Sequence, residues 1–333
     1  MTTEASISDT TQYLMYTLYE TQTIHSYILD VDKKPLEDGQ FEIPYSTKFP
    51  GLTFNKQLES LEIIGDWSSD KNKNHQLMSP AGSFSEAPGS LFDGDDHFEV
   101  AYSQNVGTLV FSGYRHSGST QVYIVTQNSN WNKIESSDKY LNPFRNPGSS
   151  SNYYGYGVAE EKGKIYLVGG YSNSYQDSIQ VVDFIDVETL QDAQTRQWTF
   201  MENLENSVSR PAVIYSNDQL LVVGRTTSYS TCQDVQYLNP ASNTTGVYSS
   251  NIDCGKNSLG YYYPGMFDIV GGNVSIFGGH RAADDCIQQT AFGDDLDSEW
   301  TCFSSQESGF EGLGYLSDGS SAEIRYSNFV LVN

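Results

Sequence analysis

Arginine is scarce in this chain and unevenly placed. Of seven arginines in 333 residues, three follow a glycine that closes an apolar run: Arg115 in TLVFSGYR, Arg225 in LLVVGRT and Arg281 in VSIFGGHR. Two more, Arg145 in NPFRNPG and Arg210 in SVSRPA, lie in segments with the Pro and Ser content of loops. A guanidinium is a planar fork that matches carboxylate, sulfate or phosphate oxygens. His116 and His280 adjoin Arg115 and Arg281. With carboxylates, two such imidazoles could ligate a transition metal and support an oxidative or hydrolytic site. Two acidic loops, with Asp93, Asp95 and Asp96 in one and Asp294, Asp295 and Asp297 in the other, offer oxygens to Ca²⁺. Neither follows an established loop motif, and solvated turns are the plainer reading. No cofactor is predicted from these groups, no metal site is assigned, and no Ser-His-Asp order or nucleophile elbow is legible.

The background against which these residues stand is acidic. There are 42 Asp and Glu against 18 Lys and Arg, a net charge of −24. Such a surface repels nucleic acid and anionic lipid, which excludes both as bulk partners. With 24 Tyr and 16 Phe, the chain is too aromatic for a disordered acidic segment. No apolar run approaches the roughly 18 residues of a membrane span. The opening MTTEASISDT lacks the basic start and apolar centre of a signal peptide.

The positioning elements recur. An apolar strand ending in glycine appears at Gly65, Gly113, Gly170, Gly224 and Gly279, at spacings of 48, 57, 54 and 55. Shorter strands follow at similar distances, at Val122–Val125, Val181–Phe184 and Val235–Tyr237, and later come Trp131, Trp198 and Trp300, with Tyr248 in the repeat that lacks a Trp. Another strand precedes each glycine, as in HFEVAYS and YYGYGVAEE. Four short strands per period, joined by Gly, Asn, Ser and Asp turns and without helical periodicity, is the signature of a propeller blade. A glycine at a tight strand exit supplies positive φ or close backbone approach.

The double glycines Gly169-Gly170 and Gly278-Gly279, with a later Trp on the fourth strand, resemble the kelch repeat family over roughly residues 55 to 333. Ser112 and Val223 replace the first glycine in two repeats. The expected fold is therefore all-β, a six-bladed propeller of kelch type in a single domain spanning 1–333. Residues 1–30 would supply closure strands and 31–333 blades one to six. The C-terminal NFVLVN reads as a second strand, and YLMYTLY and HSYIL near the N-terminus would complete that sixth blade, removing an exposed edge.

The cysteines repeat in phase with the blades. Cys232 and Cys286 follow their glycines by eight and seven residues, and Cys254 and Cys302 fall near the fourth strands. Neighbouring strands bring such residues within disulfide reach, so Cys232–Cys254 and Cys286–Cys302 are the expected pairs. Each would close a loop worth roughly 3 kcal/mol. Four buried thiols is the competing reading. Disulfides imply an oxidising, secreted setting. Sequons at Asn243 and Asn273 point the same way, the second beside an inner strand.

The kelch resemblance implies a ligand face built from the loops after the second strands and between blades. On it would lie Arg115, His116, Arg145, Tyr171, Arg210, Arg225, His280 and Arg281. Kelch ubiquitin-ligase adaptors use arginines on this face to hold acidic peptides. The implied partner is an anionic small molecule, an acidic or sulfated glycan, or an acidic peptide. The competing reading pairs these arginines with Asp95, Asp284 or Asp285. The enzymes of the kelch superfamily fit less well. Copper radical oxidases need a cysteine for a Tyr cross-link, and no Glu, Asp and His run of the iron-dependent specifier kind ends at His25, His75, His97, His116 or His280. A secreted enzyme at the same mouth is the alternative function.

Overall fold

The structure is a computed structural model. It describes residues 12–17, 23–29, 35–44, 51–64, 75–87, 99–111, 122–125, 131–134, 153–154, 156–172, 177–178, 182–190, 192, 198–225, 235–248, 265–269, 273–277, 288–291, 296–297, 300–303, 314–315, 321–322 and 329–332, some by their backbone alone. Among these residues the chain is all-β, and its one helical piece is a single 3-10 turn at Val187–Thr189.

In chain order the strands begin with β1 (Gln12–Thr17), β2 (Thr23–Leu29) and β3 (Pro35–Glu42). The first sheet follows: β4 (Gly51–Asn55), β5 (Ser60–Ile64), β6 (His75–Met78) and β7 (Phe84–Glu86). The second holds β8 (Glu99–Ser103), β9 (Gly107–Phe111), β10 (Val122–Val125) and β11 (Trp131–Ile134). After β12 (Tyr153–Tyr154) come β13 (Gly157–Glu161) and β14 (Lys164–Val168), then β15 (Tyr171–Ser172), β16 (Asp177–Ser178), β17 (Val182–Asp186) and β18 (Thr199–Phe200). The third sheet is β13-β14-β17-β18, while β12, β15 and β16 form a small sheet of their own. The fourth holds β19 (Ser209–Ser216), β20 (Gln219–Arg225), β21 (Gln236–Asn239) and β22 (Thr244–Val247). The fifth holds β23 (Gly265–Ile269), β24 (Asn273–Phe277), β25 (Gln288–Ala291) and β26 (Thr301–Phe303). A two-stranded ribbon, β27 (Gly314–Tyr315) and β28 (Ser321–Ala322), precedes β29 (Phe329–Val332).

Each of these sheets is an antiparallel meander, the pairing that short polar turns permit. The two-residue turns Lys162-Gly163 and Asn217-Asp218 have positive φ at both positions, the geometry that matches strand twist in a tight hairpin. The second strands of the third and fourth sheets are buried in runs rather than alternating. Ile165–Val168 and Leu220–Val223 are buried at every position. A strand reads this way when both faces of its sheet are covered. The covering layers are the neighbouring sheets. One apolar cluster joins Leu109 and Phe111 to Ile165, Leu167 and Trp198. A second joins Tyr166 and Val168 to Val208, Leu220 and Val222. A third joins Leu221 and Val223 to Val274, Ile276 and Trp300. The first strands lie side by side in the order β29, β4, β8, β13, β19, β23. This stacking of meanders along their first strands is a propeller-like architecture.

The chain ends meet in one sheet of order β29-β1-β2-β3. Its detail differs from the expectation. The C-terminal strand is an outer member beside β4, not a second strand, and the N-terminus supplies three strands reaching Glu42. An apolar run such as NFVLVN does not encode which strands flank it, so its place in the sheet was not legible from its composition. Segment β3, PLEDGQFE, is polar and bulged opposite Ser26 and Tyr27, which hid it from a pattern reading. Trp198 and Trp300 stand immediately before the fourth strands and are buried, whereas Tyr248 follows its fourth strand and packs on Tyr237 at 4.9 Å.

Candidate functional site

The sheets have two unlike ends. One carries tight hairpins between first and second strands. At the other, second strands exit, first strands enter, and the glycines act. Gly169 and Gly170 have φ of +63° and +120°, which side-chain-bearing residues rarely adopt. A Cβ on Gly169 would fall 2.5 Å from Val208 Cγ2 and 2.7 Å from its carbonyl oxygen. With no side chain in the way, Gly170 donates its N–H to the Val208 carbonyl at 2.8 Å. Gly224 is extended, and its requirement is space: a Cβ there would sit 2.8 Å from Pro211 Cα.

These contacts fix the segment entering the fourth sheet. From the other side, Gln236 clamps it: Asn206 N–H donates to Gln236 Oε1 at 2.7 Å, and Gln236 Nε2 donates to the Asn206 carbonyl at 3.2 Å. Four residues after Asn206 comes Arg210, next to Ser209, which pairs with Arg225 across the hairpin. The ladder is irregular between Ser209 and Ala212, a bulge at the glycine end. Tyr171 follows Gly170 directly and pairs with Tyr154 and Ser178. The backbones of Tyr171, Arg210 and Arg225 therefore meet at one corner of the glycine end, and their side chains lie outside the described part of the structure.

Arg115, His116, Arg145, His280 and Arg281 lie outside the described residues, as do Cys232, Cys254, Cys286, Asp93, Asp95, Asp96, Asp294 and Asp295. Cys302 is on β26 directly opposite Gln289. Asn243 is an exposed turn residue at φ +52°, and its Oδ1 accepts from Glu202 N–H at 2.9 Å. Asn273 opens β24, and the Ser275 of its sequon is fully buried. Among the described residues no three His, Cys, Asp or Glu side chains gather as a metal site.

Reading by single segments missed polar residues where the repeats put apolar or small ones. At the glycine end of each first strand the register gives Gly51, Glu99, Gly157, Ala212 and Gly265. Small residues are needed there, since a Cβ on Gly51 would fall 2.7 Å from Val100 Cγ1. The second sheet has a buried carboxylate, Glu99, instead. Aligning the five repeats strand by strand is the signal that would have found it.

No family model matches the chain, and no curated protein matches its sequence. The fold is similar to that of YjhT. The likeness to the structure of YjhT has a TM-score of 0.58 and covers 86% of this chain and 97% of that one. Sequence identity is 12%, so what the chain and YjhT share is the fold.

Proposed function

We propose that this chain is a secreted, six-bladed propeller of the kelch kind that binds an anionic ligand at its glycine end. The ligand class is a carboxylated or sulfated glycan or an acidic peptide. Arg115, Arg225 and Arg281 supply the guanidinium forks. Arg145, Arg210, Tyr171, His116 and His280 surround them. The observation carrying this reading is the corner where Gly170 and Gln236 pin the Arg210 segment beside Arg225, because a preset backbone lowers the ordering cost of binding. Arg210 and Arg225, on adjacent strands of a chain of charge −24, are a local exception that favours an anion.

The six four-stranded sheets among the described residues support six blades, with the chain ends sharing the sixth. Secretion rests on the disulfides Cys232–Cys254 and Cys286–Cys302 and on glycosylation at Asn243. Thiol labelling of the unfolded, unreduced protein tests the first: no labelled cysteine is expected, and four would refute it.

The binding test is a glycan array carrying sulfated and carboxylated oligosaccharides, run with the native protein and with the R115A/R225A/R281A variant. Binding that weakens with added salt and disappears in the variant is expected. Equal binding by the variant would reject the proposed mouth.

A further inference from the structure

The face between the first and second sheets is built differently from its counterparts. Counting two residues beyond the hairpin, the second strands carry Glu62, Leu109, Tyr166, Leu221 and Ser275. Opposite the last residue of the second strand, the third strands carry His75, Val122, Val182 and Gln288. The first sheet thus places two ionisable groups where its neighbours use uncharged residues. Both are buried, with 1% and 2% exposure. Glu62 and His75 lie on one face, two positions apart across the β5–β6 ladder, and their Oε2 and Nε2 atoms are 3.8 Å apart. That is proximity rather than a hydrogen bond. Glu62 Oε1 accepts from Asn55 Nδ2 at 2.8 Å, and Asn55 is itself held by the turn amides of Gln57 and Leu58.

We propose that Glu62 and His75 form a proton-responsive seam between the first and second sheets, tight while both side chains are uncharged and loosened when either ionises. The facing surface carries Val100, Tyr102, Thr108 and Val110. Among the described residues, the titratable or charged positions that the register places on this face of the second sheet are Tyr102, Tyr123 and Lys133. A carboxylate or imidazolium at so dry an interface lacks the solvation it has in the unfolded chain.

The two members respond to opposite changes in pH. Burial pushes His75 down to about 4 from 6.5. Between those values the unfolded chain binds a proton that the folded chain does not, so stability falls as pH drops through this window. Burial pushes the Glu62 carboxyl up from 4.5, opposed by the nearby Thr108 side chain and by the hydrogen bond from Asn55. Above 4.5 the unfolded chain releases a proton that the folded chain keeps, so stability is lost as pH rises through the raised value.

The test compares thermal unfolding across the pH range for the native chain, the E62L/H75V variant, which installs residues found at the matching positions, and the gentler H75Q. The double variant is expected to unfold at least about 2 °C higher away from mildly acidic pH. H75Q is expected to flatten only the acid limb. Profiles parallel to the native one in both variants would overturn the proposal. Should E62L/H75V fail to fold, the His75 imidazole resonance, assigned by its loss in H75Q, decides: titration near 4 supports the seam, and titration near 6.5 overturns it.

Discussion

Gly170 donates its backbone N–H to the carbonyl of Val208, joining the exit of one sheet to the entrance of the next at 2.8 Å. The contact needs two glycines in succession. The first turns the chain at φ +63°, and its missing side chain lets Val208 approach.

Gly169→Ala therefore carries two penalties, left-handed backbone and collision with Val208. Together these cost about 2–4 kcal/mol. Gly163→Ala is the control, because Gly163 has φ +76° but open space around its Cα. It carries the backbone penalty alone, about 1 kcal/mol. Urea titration of both variants reads the difference, and equal losses would mean that the approach of Val208 is unimportant.

Gln236→Ala leaves the Asn206 N–H and carbonyl without their clamp. The expected loss is about 1–2 kcal/mol, the net contribution of two ordinary hydrogen bonds, because Asn206 is exposed and water replaces part of the pairing. Weaker ligand binding should accompany it, as the same clamp presets the Arg210 segment. Gln236→Glu keeps both the acceptor and an O–H donor for Asn206 at a pH where its carboxyl is protonated and loses the donor once it ionises, so its loss should be smaller than that of Gln236→Ala at low pH and grow as pH rises.

Deleting residues 1–30 removes β1 and β2, which separate β29 from β3 in the shared sheet. The exposed edges then pair with other chains. Light scattering should detect aggregation of the truncated chain. A monomeric, cooperatively melting product would reject closure through the termini.

Tyr166 packs between Phe184 and Tyr215, with ring centroids 5.9 and 6.5 Å away. Burial, reinforced by the charges of Tyr215, Glu161 and Asp186, pushes its phenol up to about 12. In the unfolded chain the group ionises near 10, so it loses the fold stability as pH climbs from about 10 towards about 12. Melting temperatures across this window should fall less steeply in Tyr166→Phe.

The sequence by itself determined the repeat, the all-β class and the five second strands that precede the repeated glycines, because glycine exits and buried apolar runs leave compositional marks that do not depend on neighbours. It also marked the arginines that follow those glycines. Only the tertiary structure decided which strand of the shared sheet each terminus supplies, since hydrogen-bonding partners are set by register between distant segments. It likewise decided that Gly169 yields to Val208, that Gln236 holds Asn206, and that Glu62 meets His75. In each pair the reason for the residue lies in a neighbouring strand or sheet, a relation between segments that no single stretch of chain encodes.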